Sequence, residues 1–105
     1  MALGRGKSED ALESWCCKQA KKRGWLSRKM NGLGFNEWPD RLFIRTPKRV
    51  SNLMWTMRKV VFVEFKRLGK KPTKAQGNLH QELRRRGVDV RVIVNKDDFR
   101  RLLDE

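Results

Sequence analysis

At 105 residues the chain has room for one domain and one modest core, burying about two-thirds of its unfolded surface. Its 26 Lys and Arg against 12 Asp and Glu leave a net charge of +14, which calls for an anionic partner: nucleic acid first, an acidic protein or an anionic membrane surface as alternatives. No apolar run approaches the ~20 residues that span a bilayer, no secretory h-region opens the chain, and the 2 cysteines, Cys16 and Cys17, are adjacent and too few for a cysteine zinc set, so a reducing cytoplasmic setting is expected.

Residues 1–7 read as a flexible basic arm, and 8–105 as the folded domain. Ser8 or Asp10 can cap a first helix that runs to about Arg23, with Gly24 as its stop. Leu12, Trp15, Cys16 and Ala20 give that helix an apolar stripe, on which the cysteines act as small hydrophobes. Lys18, Lys21, Lys22 and Arg23 complement its dipole. A strand is expected over 25–30 and a loop over 31–36, where two glycines and two asparagines break any regular pattern.

Residues 41–45 and 59–66 read as the second and third strands. Between them, 46–58 is too apolar for an ordinary exposed loop and fits an elongated hairpin, a short helix or a partner surface. Leu68-Gly69-Lys70-Lys71-Pro72 is a basic turn. Thr73-Lys74-Ala75-Gln76 matches a capping box that opens a helix to about Arg86, with Gly87 as stop and Leu79 and Leu83 as its seam. Residues 88–94 alternate apolar and polar as a strand does, and 96–103 form a terminal helix. The order α-β-β-β-α-β-α predicts an α/β fold: one small domain with a mixed central sheet flanked by helices, its last two strands joined by a helical crossover.

Val60-Val61-Phe62-Val63-Glu64-Phe65-Lys66 is the most informative run. It is apolar until it presents a carboxylate and an amine two residues apart, on the same face of a strand. Upstream, Trp38-Pro39-Asp40 brings a second acid to the entrance of the strand at 41–45. Two acids and a lysine at strand ends, on a chain this basic, fit a metal site facing a polyanion. Magnesium takes hard oxygen ligands, typically one or two carboxylates, and Asp40 and Glu64 are the candidates. Lys66 could orient or deprotonate a water or stabilise developing charge. Spacing alone favours a structural arrangement in which Asp40 caps a turn and Glu64 pairs with Lys66, because same-face acid–lysine pairs are common on strands.

Taken in order, the motifs resemble the VRR-NUC family of the PD-(D/E)XK nuclease superfamily, in its short stand-alone phage form. The matching stretches are Glu13 on the opening helix, Lys22-Arg23-Gly24-Trp25, Pro39-Asp40-Arg41-Leu42, Phe62-Val63-Glu64-Phe65-Lys66, Pro72-Thr73-Lys74-Ala75-Gln76 and Leu83-Arg84-Arg85-Arg86-Gly87. The resemblance implies a restriction-endonuclease-like core and a Mg²⁺- or Mn²⁺-dependent endonuclease acting on branched DNA, such as a Holliday-junction resolvase. It implies metal ligation by Asp40, Glu64 and the Phe65 carbonyl, catalysis by Lys66, completion of the acidic cluster by Glu13 at a second metal site, and a place near the site for Gln76. Glu9, one turn earlier, is the alternative helix acid. Glu13 also suits a partnership with the Asp10 cap, and Gln76 the reciprocal half of the Thr73 cap.

Two departures stand out. Glu37 and Trp38 precede Pro39-Asp40 where the family has a small residue, which makes Glu37 a further candidate ligand. The segment 46–58 exceeds the family's short hairpin. Symmetric cutting of a junction needs two active sites, so a two-fold homodimer follows from the task, with apolar residues in 50–57 as its contact. No membrane and no organic cofactor are expected, and the location is the cytoplasm, the host's if the chain is phage-encoded. His80, the single histidine, reads as a surface residue among polar neighbours. Trp55, Met54 and Met57 suit core packing, a dimer contact or a wedge into a DNA junction. Arg84-Arg85-Arg86 reads as a solvated helix end. The contrasting function is a non-catalytic nucleic-acid binder, which would have no use for acids beside its basic surface.

Overall fold

The computed structural model describes residues 7–32 and 36–105. Its elements are α1 (Lys7–Lys22), β1 (Leu26–Lys29), β2 (Arg41–Arg45), β3 (Lys59–Phe65), α2 (Lys74–Arg85), β4 (Asp89–Ile93) and α3 (Lys96–Asp104). The order matches the expected α-β-β-β-α-β-α arrangement. The basic arm expected over 1–7 lies outside the described residues except Lys7, which opens α1, and the loop expected over 31–36 lies partly outside them.

Local chemistry sets the boundaries. Gly24 has φ +81°, and the Trp25 amide reaches back to the Ala20 carbonyl at 2.9 Å, closing α1 where a residue with a Cβ would be strained. Trp25 then packs into the core, so β1 starts one residue later than expected. At α2 the capping box forms in full: the Thr73 hydroxyl accepts from the Gln76 amide at 3.2 Å, and the Gln76 side-chain oxygen accepts from the Thr73 amide at 2.9 Å.

The sheet runs β1-β2-β3-β4, antiparallel except for the parallel pair β3–β4, which α2 connects. Strand periodicity divides its two faces. Phe43, Val61, Val63, Phe65 and Ile93 point to one side, where Leu12, Cys16 and Ala20 of α1 and Phe99, Leu102 and Leu103 of α3 close the core over them. The rings of Phe43, Phe65 and Phe99 meet edge to face or tilted, with centroids 5.2 to 6.5 Å apart. Cys16 is part of this core, and burial first of all pushes its thiol up to about 12, so it behaves as the small apolar residue expected. Alternation assigns Leu42, Ile44, Val60, Phe62, Glu64 and Val92 to the opposite face, the side of the α2 crossover.

Residues 46–58 form no helix; they extend the β2–β3 hairpin irregularly, with the Thr56 amide donating to the Lys48 carbonyl at 2.7 Å and the Val50 amide to the Met54 carbonyl at 2.9 Å. A single bridge pairs Arg49 with Trp55, and the apolar side chains stand in solvent, Leu53 94% exposed. The core-packing role open to Trp55, Met54 and Met57 is therefore ruled out for this fold: Trp55 is 63%, Met54 64% and Met57 80% exposed.

An ionic cluster closes one end of the sheet. Glu105 accepts from both terminal nitrogens of Arg91 at 2.7 Å and from Lys59 at 2.6 Å, and Arg91 also holds Asp89. The Arg91 hydrogen bonds, ahead of the Lys59 contact, hold the Glu105 carboxyl well down, at about 2. A carboxyl depressed on folding stabilises the fold above its unfolded value, roughly 4.3, and loses that contribution as pH falls towards 2. The group is partly exposed and screened, so the effect is a modest fraction of the nominal shift. Glu105→Gln should lower the thermal midpoint at pH 7, and the gap to the unsubstituted protein should close at pH 2. A gap of equal size at both pH values would contradict this assignment.

Candidate active site

The candidate acids gather where β2 begins and β3 ends. The β2–β3 register pairs Arg41 with Val63, so one step further Asp40 stands level with Glu64. Asp40 is fixed there by three bonds. Its carbonyl accepts from the Met30 amide at 2.9 Å, its Oδ2 accepts from the Phe65 amide at 2.7 Å, and its Oδ1 accepts from the Asn31 side-chain amide. The Phe65 amide belongs to the peptide that joins Glu64 to Phe65, so the Asp40 carboxylate rests against the backbone of the second acid. Asp40 and Glu64 are each 2% exposed.

Glu64 presents its oxygens to two cations or potential cations. Oε2 lies 3.8 Å from the Lys66 amine and Oε1 3.7 Å from His80 Nε2. Both are ion-pair rather than hydrogen-bond distances. The Lys66 amide donates to the Ile93 carbonyl at 3.0 Å, which carries the parallel pairing one residue past β3 and fixes the lysine's starting point. The same-face geometry expected for Glu64 and Lys66 is therefore present.

Glu13 is at the same end of the sheet but in different company. Its Oε2 accepts from Arg41 Nε at 2.6 Å and lies 3.8 Å from Lys29. Lys29 and Arg41 are register partners, and alternation assigns them to the α1 face, opposite the face of Glu64. Glu9, one turn earlier on α1, is also buried. Glu13 is thus bound to basic residues of β1 and β2. Gln76 spends its side-chain oxygen on the Thr73 amide, so the helix-cap role is the one observed. Glu37 is exposed and lines a cavity of about 370 Å³ with Trp38, Ala75 and Leu79, between the turn before β2 and α2. Arg85 and Arg86 pair with Glu82 on their own helix, as a solvated helix end does, while Arg84 ties that end to the Val90 carbonyl at 2.7 Å.

The expectation for His80 is corrected. It is 2% exposed and faces Glu64, because it lies one turn from Gln76 on the side of α2 that covers the sheet. The spacing of Gln76, His80 and Leu83, four and three residues apart, was the available signal, and the polar residues around the histidine masked it. Asn31 was also missed, since it carried only loop-forming weight in the sequence.

Among the described residues, no group of three or more His, Cys, Asp or Glu side chains is arranged to hold a metal ion. Two buried carboxylates with a neighbouring backbone carbonyl nevertheless make an all-oxygen donor set. That suits a hard divalent ion, which needs only one or two carboxylates and completes its shell with water and phosphate. One oxygen of the pair, Glu64 Oε1, is buried with no hydrogen-bond partner.

No family model matches the chain, and no curated protein matches it. Among solved structures, one described as a "VRR_NUC domain" superposes with a TM-score of 0.75 at 25% sequence identity, covering 95% of this chain and 98% of that one.

Proposed function

From the premise that the chain belongs to the VRR-NUC family of the PD-(D/E)XK nuclease superfamily, we propose that it is a divalent-metal-dependent endonuclease hydrolysing phosphodiester bonds in branched DNA, four-way junctions foremost. The observation that carries this reading is the Asp40 carboxylate held on the Phe65 amide, level with buried Glu64, which itself lies 3.8 Å from the Lys66 amine. On a chain of net charge +14, two buried acids at one sheet end have a use if a cation is to stand between protein and phosphate.

Asp40, Glu64 and the Phe65 carbonyl would hold Mg²⁺ or Mn²⁺. When bound, such an ion polarises the phosphate and lowers the pKa of water at the site. The protein's own contributions are separable. Asn31 and the Phe65 amide keep Asp40 from rotating. Lys66 holds its amine 3.8 Å from Glu64 Oε2, from where it can orient water or stabilise charge developing on phosphate oxygen. Glu13, or Glu9 before it, would act from the α1 side through Arg41 and Lys29, and Gln76 would serve chiefly as the cap of α2. The surplus of Lys and Arg binds the DNA backbone without sequence preference.

Paired cuts across a junction require two copies, and the exposed apolar residues Leu53, Met54, Trp55 and Met57 are the proposed homodimer contact. A non-catalytic DNA-binding role has one observation in its favour: both oxygens of Asp40 already accept hydrogen bonds from the protein. Cleavage of labelled junction DNA in Mg²⁺ and its abolition by EDTA separate the two readings.

Three outcomes follow from the enzyme reading. Asp40→Asn should slow junction cleavage by more than about 100-fold, beyond the 10–100-fold typical of groups that only support a ligand, with DNA binding retained or tightened. Cleavage at the unsubstituted rate would remove Asp40 from the site. Lys66→Ala should lower the single-turnover rate by roughly 100- to 1,000-fold while leaving the Kd for DNA nearly unchanged. A binding defect whose salt dependence is flatter by about 0.9 per contact would instead make Lys66 a phosphate contact. Polar replacement of Met54 and Trp55 together should yield monomers that nick a junction without a coordinated second cut. Sedimentation of the unsubstituted protein as a monomer, with and without junction DNA, would contradict the dimer.

A further inference from the structure

Glu64 Oε1 and His80 Nε2 are both buried, and neither has a hydrogen-bond partner. They face each other at 3.7 Å, with their side chains 3% and 2% exposed. Buried polar atoms are nearly always satisfied, because leaving one unpaired forfeits its hydration with no return. Here two complementary atoms stand about 0.5 Å beyond the ~3.2 Å limit of an N–H···O bond, a gap that a small side-chain rotation closes.

The position of the pair matters more than its length. The two Glu64 oxygens are differentiated: Oε2 is turned to the Lys66 amine at 3.8 Å, Oε1 to the imidazole. A carboxylate free to spin about its last bond presents either oxygen to a cation, or both. An imidazole that donates from Nε2 to Oε1 removes that freedom and leaves Oε2, on the lysine side, as the outward-facing oxygen. Hydrogen bonds of this kind to ligating carboxylates set their orientation and support their affinity for the ion. His80 sits on α2, between the Gln76 cap and Leu83, so the crossover helix that covers the sheet carries the donor to this point.

We propose that His80 is a positioning residue: its Nε2–H clamps Glu64 Oε1 and thereby selects Glu64 Oε2 as the metal-facing oxygen. The proposal rests on the reading of Glu64 as a metal ligand. It requires no change in the charge of the imidazole, only a proton on Nε2.

The test is Mn²⁺ binding to the DNA-free 105-residue chain, followed by loss of the free-Mn²⁺ electron paramagnetic resonance signal, with single-turnover junction cleavage measured beside it. His80→Leu removes the donor and keeps apolar bulk. His80→Gln restores a side-chain N–H. His80→Leu should weaken Mn²⁺ binding by about 10- to 100-fold, with the melting temperature of the metal-free protein preserved, and His80→Gln should recover most of that loss. At saturating Mn²⁺ the His80→Leu cleavage rate should rise back towards that of the unsubstituted chain. His80→Ala is read in the same way if the leucine variant does not fold.

Unchanged Mn²⁺ affinity in His80→Leu overturns the proposal, as does His80→Gln no better than His80→Leu, which would leave only a packing role. A directly coordinated imidazole nitrogen in pulsed spectra of the Mn²⁺ complex overturns it too, since His80 would then be a ligand. Glu64→Gln separates the two levels. If it binds Mn²⁺ as well as the unsubstituted chain, the metal reading of Glu64 fails and the His80 role with it. If Glu64→Gln loses the ion while His80→Leu does not, the His80 role alone fails.

Discussion

The hydrogen bond from the Phe65 amide to Asp40 Oδ2, 2.7 Å long, is the constraint on which the rest of this structure turns. It ties the end of β3 to the entrance of β2 just beyond their last paired residues, Arg41 and Val63. Hydrogen bonds to an ionised carboxylate are in general stronger than those between neutral backbone groups. The same contact draws an acid out of solvent and lays it along the peptide of Glu64. Fold and candidate chemistry therefore share one bond: it ends the strand pairing and brings two carboxylates to one edge.

Division of labour between the sheet faces follows from period-two alternation. Phe43, Val61, Val63, Phe65 and Ile93 supply α1 and α3 with an apolar floor, and the aromatic contacts there leave little room for adjustment. The opposite face carries Glu64, and α2, whose one fully buried residue is His80, covers it. A buried acid is tolerable on that face because the core does not depend on it. Glu13, with Arg41 and Lys29, ties α1 to the strands at the same end.

Much of the fold was legible because its signals are local. Gly24 ends α1, and Thr73 and Gln76 open α2, each by chemistry contained within a few residues. Asp40, Glu64 and Lys66 were legible because strand ends and alternation define their positions. His80 was not, because its environment is created by a residue sixteen positions earlier, across the crossover, while its sequence neighbours are polar. Asn31 was hidden for the same reason: its partner Asp40 is reached only once β1 and β2 have paired. Residues 46–58 gave a mixed signal because their apolar side chains find no core, which periodicity alone does not reveal.

The central claim is that Asp40 and Glu64 share a divalent cation at the end of β3. Anomalous diffraction from a crystal of this chain equilibrated with Mn²⁺ tests it most directly. The account predicts a manganese peak within about 2.0–2.6 Å of oxygens from both carboxylates and close to the Phe65 carbonyl, the distances at which hard divalent cations bind oxygen. Well-ordered Asp40 and Glu64 side chains with no peak between them, or a peak held by other residues, would contradict it.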